Sequence, residues 1–132
     1  MRIAGKIDEV RSIINRPRSQ GDTIGLVPTM GAIHAGHLSL VQRAVQSDDF
    51  VVASIFVNPT QFGPDEDYQQ YPRQLEADAK LLEAHDVDLI FSPTPRDMYP
   101  PGYATFVEVE RLTEKLCGRY RDGHFRGVTT VV

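Results

Sequence analysis

Residues 23–45 read TIGLVPTMGAIHAGHLSLVQRAV. Thr23 to Val27 is a short β-leaning run set off by Gly21 and Asp22. Pro28 to Gly36 is dense in turn-forming residues. Leu38, Val41 and Val45 then recur at helical spacing, which predicts a helix from about His37 to Ser47, broken by Asp48 and Asp49. A strand that runs through a glycine-bearing turn into a helix is the opening move of a parallel α/β unit.

Working outward, the same logic extends in both directions. Upstream, Ile7, Val10, Ile13 and Ile14 predict an amphipathic helix over Lys6–Asn15, ended by Pro17. Downstream, Phe50–Val57 is almost continuously apolar, as in a strand buried on both faces. Asn58–Tyr71 is a long polar loop, and Leu75, Ala79 and Leu82 mark a helix over about Arg73–Ala84. Val87–Phe91 is a third apolar strand. A loop with four prolines follows over Pro93–Gly102, then an edge or irregular strand over Thr105–Val109 and a short helix over Leu112–Leu116. Strand, helix, strand, helix, strand is the alternation of an α/β fold with a doubly wound parallel sheet, whose ligands bind beyond the carboxyl ends of the strands. Pro28–His37 and Asn58–Gln61 both fall at those ends. Gly127–Val132 is an apolar run, which reads either as a buried terminal element or as an element of a longer protein; we prefer the second.

The 132 residues suit one domain. A net charge of −4 offers no broad attraction to nucleic acid or to an anionic membrane, so neither is expected as a partner. Any phosphate site must be built locally. Cys117 is the single cysteine, which rules out an intramolecular disulfide or a thiolate cage. Met1–Asp8 carries no apolar run of the kind a signal peptide or membrane span needs, and the expected location is the cytoplasm.

The chemistry concentrates in PTMGAIHAGH, Pro28–His37. Amides at a helix N-terminus favour anions. Gly31 and Gly36 would let backbone approach a ligand. His34 and His37, three apart, can share one face and donate to phosphate oxygens as negative charge develops; one such donor is commonly worth about 3–4 kcal/mol in a transition state. A histidine pair could instead ligate a metal, but His85, His124 and Cys117 have no ligand spacing to it, so no metal site is expected.

The H-x-G-H motif after the first strand resembles the signature of the nucleotidylyltransferase superfamily, with its Rossmann-like fold. Three segments together, at Pro28–Val41, Ser54–Arg73 and Gly123–Val132, resemble the pantothenate synthetase (pantoate–β-alanine ligase) family. The resemblance implies an enzyme that joins (R)-pantoate and β-alanine through a pantoyl adenylate, converting ATP to AMP and pyrophosphate, with magnesium accompanying the ATP. It implies that Met30, His34 and His37, together with Gly31 and Gly36, form the ATP site, with the two histidines catalytic. Gln61 and Asn58 would hold pantoate, although Asn58 reads equally well as a turn former before Pro59. Phe62–Tyr71 would be a gate over the site, with Tyr71 at its base or facing pantoate. Asp65, Glu66 and Asp67 read individually as solvated. Asp122 stands where the family commonly has proline.

The family's lysine-bearing phosphate motif, serine–arginine segment and smaller C-terminal domain have no counterpart here, and Lys115, Arg121 and Arg126 do not replace them by motif. Residues 1–132 are therefore expected to be a nucleotide- and pantoate-binding N-terminal domain, inactive alone, with the family's homodimer as a further expectation. The rival readings are another H-x-G-H nucleotidyltransferase that leaves the nucleotide on its product, and a non-catalytic ligand-binding fragment. No residue stands out as the base for the amine step.

Overall fold

The computed structural model describes residues 1–63, 66–111 and 115–132. Among the described residues there are four strands: β1 (Arg2–Ala4), β2 (Ile24–Thr29), β3 (Phe50–Ile55) and β4 (Leu89–Phe91), the last three formed by the apolar runs. They lie in the order β1-β4-β3-β2, and every neighbouring pair is parallel. Helix α1 (Ile7–Gln20) carries the chain from one edge of the sheet to the other. Helices α2 (Ala35–Ser47) and α3 (Leu75–Glu83) bring it back one strand at a time. Right-handed crossovers running in opposite directions must lie on opposite faces. Two cores result. Val10, Ile13 and Ile14 of α1 cover Ala4, Val52 and Leu89 on one face. Val41 of α2 and Ala79 and Leu82 of α3 cover Val27, Val51, Ala53, Ile55 and Ile90 on the other. The sheet is thus doubly wound, as expected, and β3 is buried from both sides.

Several boundaries differ from the sequence expectation. Strand β1 has no counterpart in it, because three residues show no periodicity; only pairing with β4 makes it a strand. Pro17 does not end α1, which runs on to Gln20 and closes with Gly21 at φ 89°. A proline in the last turn removes a single hydrogen bond, and here its ring is the buried residue of the helix. Strand β2 continues through Pro28, which an edge strand tolerates. The proline-rich loop contains a one-turn helix, α4 (Pro95–Met98), closed by a capping box between Thr94 and Asp97. Residues 105–109 are not a strand. Val107 is held instead by the hydroxyls of Thr129 and Thr130 in α5 (His124–Val131). The helix expected over Leu112–Leu116 falls partly on residues 112–114, outside the described set; a single 3-10 turn covers Leu116–Arg119. Among the described residues, no helix is long and apolar enough to cross a membrane.

Candidate functional site

Strands β2, β3 and β4 end side by side, and the chain leaves β2 through a turn that several groups hold in place. Thr29 donates its hydroxyl to the Ser54 carbonyl at 2.7 Å and accepts from the Gly31 amide at 3.1 Å. Gly31 (φ 84°) and Ala32 (φ 52°) both adopt left-handed backbone, the second without a glycine's freedom. Asp78 holds this turn. Its carboxylate, from α3 and 1% exposed, accepts from the amides of Ala32 and Ile33, each at 2.9 Å. A side chain at Gly31 would stand 3.0 Å from that carboxylate.

Helix α2 begins two residues earlier than its apolar periodicity suggests. His34 is the N-cap, and its Nδ1 accepts from the Gly36 amide at 3.1 Å. Gly36 therefore makes room for the His34 ring: a Cβ there would lie 2.9 Å from its Cε1. Nor are the main-chain donors all free, as the motif suggests. The amides of Gly31, Ala32, Ile33 and Gly36 are taken by the protein, while those of Ala35 and His37 have no described acceptor.

The two imidazoles come together, with ring centroids 4.0 Å apart and planes tilted by 32°. His34 is exposed and His37 half-buried. Because His34 Nδ1 accepts a hydrogen bond, its neutral ring carries the proton on Nε2. His37 Nδ1 is buried with no partner among the described residues. Burial, and secondarily the neighbouring His34, push the His37 pKa below the usual 6.5, with Asp78 opposing. His37 is thus neutral near pH 7 and presents one N–H donor.

Among the described residues, hollows lie at both ends of the sheet, and two of them differ in place and size. The larger, about 770 Å³, surrounds Met1, Arg2 and Asp88 at the strands' amino ends, away from the histidines. The cleft in front of His37, at the carboxyl ends, measures about 430 Å³. Its walls are mostly apolar, including Leu26, Pro28, Met30, Phe56, Phe91, Val128 and Val131, and His37, Thr29, Ser54 and Gln61 supply the polar groups. Gln61 is 8% exposed, and no described residue takes its side-chain amide.

Of the two readings of Asn58, the structure favours the turn former: it caps the short turn Pro59–Gln61. It is fully buried and does not line the cleft. Its Oδ1 accepts from the Thr60 amide, the Thr60 hydroxyl and the Tyr99 hydroxyl, and its Nδ2 donates to the Gly127 carbonyl at 3.0 Å. With its amide so engaged it is a strut for the turn that carries Gln61 rather than a group open to substrate. Tyr71 does not line the cleft either; it packs edge-on against Phe62, with ring centroids 5.8 Å apart, and burial pushes its hydroxyl pKa upward. Glu66 is not a solvated acid. Arg121 grips it through Nε and Nη2, each at 2.6 Å, holding its carboxyl down at about 2.

Sequence reasoning missed Asp78, Arg121 and His124. The signal for Asp78 was present: 75, 78, 79 and 82 form one helical stripe, and an acid sits among its apolar members. Arg121 and His124 reach the Gln61 carbonyl at 3.2 and 2.9 Å from more than fifty residues away, and no local pattern announces such a contact. Gly127 lets α5 approach: a Cβ there would stand 2.6 Å from the Thr60 carbonyl carbon.

A family model described as pantoate–β-alanine ligase matches residues 2–132. Pantothenate synthetase of Acetivibrio thermocellus is 57% identical over 132 residues, which is all of this chain and 47% of that protein. The same enzyme of Pelotomaculum thermopropionicum is 58% identical with the same coverage. The crystal structure of pantoate–β-alanine ligase (pantothenate synthetase) from Thermus thermophilus superimposes with a TM-score of 0.91 at 51% identity, over 99% of this chain and 46% of that one. The Francisella tularensis pantoate–β-alanine ligase, solved with βγ-ATP and β-alanine, gives a TM-score of 0.90 at 46% identity, covering 99% of this chain and 50% of that one. The chain spans about half the length of the curated relatives it matches.

Proposed function

Since the chain belongs to the pantoate–β-alanine ligase family, we propose that it is the half of such an enzyme that binds ATP and pantoate and activates the acid. The observation that carries the reading is the imidazole pair at the start of α2, with His37 facing a cleft that also holds the free amide of Gln61.

In this reading pantoate lies along the apolar wall, and Gln61 meets its polar groups with both a donor and an acceptor. The carboxylate is already ionised near neutral pH, so it attacks the α-phosphorus without a base. An oxygen–phosphorus bond forms to give the pantoyl adenylate, and the bond to pyrophosphate breaks. His34 donates from Nε2, His37 from its own N–H, and the free amides of Ala35 and His37 add to them where negative charge grows on the phosphate. A neutral His37 suits this role, since it supplies a directed donor without holding the anionic product by full charge. The amine of β-alanine, its ammonium proton given to solvent, then attacks the adenylate carbonyl; the carbon–nitrogen bond forms, the carbon–oxygen bond to AMP breaks, and the second amine proton also passes to solvent. Among the described residues no group of three His, Cys, Asp or Glu side chains is placed to hold a metal ion, so magnesium would arrive on the phosphates of ATP.

The full-length protein is the right test object, because the relatives carry about as much chain again. Replacing both His34 and His37 by alanine is expected to cut pantoate-dependent exchange of pyrophosphate into ATP by at least about a thousandfold. Exchange near the wild-type rate would refute the assignment. The 132-residue chain alone is expected to bind pantoate without catalysing exchange.

A further inference from the structure

We propose that Arg121 and His124 are positioning residues that set Gln61 for the carboxylic-acid substrate by gripping its main-chain carbonyl; the identity of that acid rests on the ligase reading above.

The proton positions follow from the contacts. The Gln61 carbonyl can only accept, and it lies 2.9 Å from His124 Nδ1 and 3.2 Å from Arg121 Nη2. His124 Nδ1 must therefore carry hydrogen. Its Nε2 is left with a lone pair, and facing it at 3.5 Å is Arg121 Nη1, which can only donate. The outer edge of the same guanidinium closes on Glu66. Arg121 thus donates to Glu66, to His124 Nε2 and to the Gln61 carbonyl, and His124 donates in turn to that same carbonyl, an arrangement that only the Nδ1–H tautomer of His124 satisfies. His34 has the opposite tautomer, because there Nδ1 accepts from Gly36.

What this chain of contacts holds is a turn whose main chain is tied and whose one functional side chain is not. The Asn58 carbonyl accepts from the Gln61 amide at 3.2 Å, Asn58 Nδ2 ties the turn to Gly127, and the Gln61 carbonyl is doubly held. The Gln61 side chain, lining the cleft with no described partner, is what remains for a ligand. A binding amide works only if its backbone does not rock, and ordering it in advance lowers the entropy lost on binding.

The test compares three replacements of His124 in the full-length protein, using calorimetric titration with pantoate and, separately, with ATP. Asparagine can place an N–H where Nδ1 was, whereas glutamine reaches only the Nε2 position. His124→Ala and His124→Gln are expected to weaken pantoate binding about tenfold, and His124→Asn to stay within about threefold of wild type, the scale set by one hydrogen bond. ATP affinity is expected to move less than about twofold in all three. Adding His124→Ala to Gln61→Ala is expected to cost little more than Gln61→Ala alone, as for residues acting through one another. Nitrogen-15 spectra are expected to show the Nδ1–H form of His124. An Nε2–H form overturns the proposal, as does a His124→Ala protein that binds pantoate like wild type while Gln61→Ala does not. If His124→Ala fails to fold, the asparagine and glutamine variants decide between the same outcomes. A wild-type protein that binds ATP but no pantoate overturns the ligase reading itself, and the substrate named here with it; the two failures are told apart by whether wild type binds pantoate at all.

Discussion

Two turns meet at the cleft, and they are held by opposite means. The turn after β2, residues 30–34, is locked from below by a buried carboxylate with two amides on it. The turn after β3, residues 58–61, is held from the side by α5 and by Arg121, which also pairs with Glu66 in an ion pair whose partners are about a third exposed. The first is a fixed platform, with its donors aimed before any substrate arrives. The second is a clasped arm. The comparison teaches that two turns of one site can be ordered in advance by different supports, a single buried carboxylate for one and a set of contacts from a later helix for the other.

That contrast can be broken or sharpened by experiment. The largest expected effect is the loss of exchange on removing both imidazoles, described above, because it strips the platform of its function. Next comes the platform's support. Asp78→Ala leaves two buried amides without an acceptor and is expected to cost about 3 kcal/mol of stability, read by urea unfolding of the chain. A cost near zero would mean that the turn holds itself. Gly127→Ala tests the arm. Its new methyl would meet main chain at Thr60, so a loss of about 1–3 kcal/mol is expected in the same measurement.

The smallest effects are electrostatic. His37 is expected to titrate below 6.5, since its neutral form is favoured by the fold. Its contribution to stability is then complete above pH 6.5 and declines as pH falls below that value toward the lowered folded pKa. Proton NMR titration checks the sign: His34→Ala should move the midpoint up and Asp78→Asn should move it down, following the two neighbours' opposite influence. For Glu66 the clasp holds the carboxyl near 2 against an ordinary 4.5, so its contribution is present above about pH 4.5 and is lost as pH falls toward 2. Carbon-13 titration of Arg121→Gln should find Glu66 back near its ordinary value, with a modest fall in melting temperature, because a pair about a third exposed is partly screened by solvent while the bond to the Gln61 carbonyl is also lost.

The α/β class, the order of most elements and the place of the histidine pair were all legible in the residues, since apolar periodicity and turn formers act within a few positions of chain. Boundaries were read less well wherever a side chain rather than a pattern set them: the ring of His34 starts α2, and the ring of Pro17 is buried inside α1 instead of ending it. For Asn58 the family resemblance implied a ligand and the residue itself a turn former before Pro59; burial and its four hydrogen bonds favour the second.

The sequence by itself therefore determined most of the strands and helices, with β1, α4 and residues 105–109 as exceptions, and that a glycine-rich turn with two imidazoles sits at the carboxyl ends of a parallel sheet. Only the tertiary structure decided which groups hold those imidazoles and Gln61 in place. Asp78 reaches its amides across 45 and 46 residues and His124 reaches Gln61 across 63. Local propensity extends about one helical turn, whereas such contacts exist only after the sheet has closed and brought distant residues within hydrogen-bonding distance.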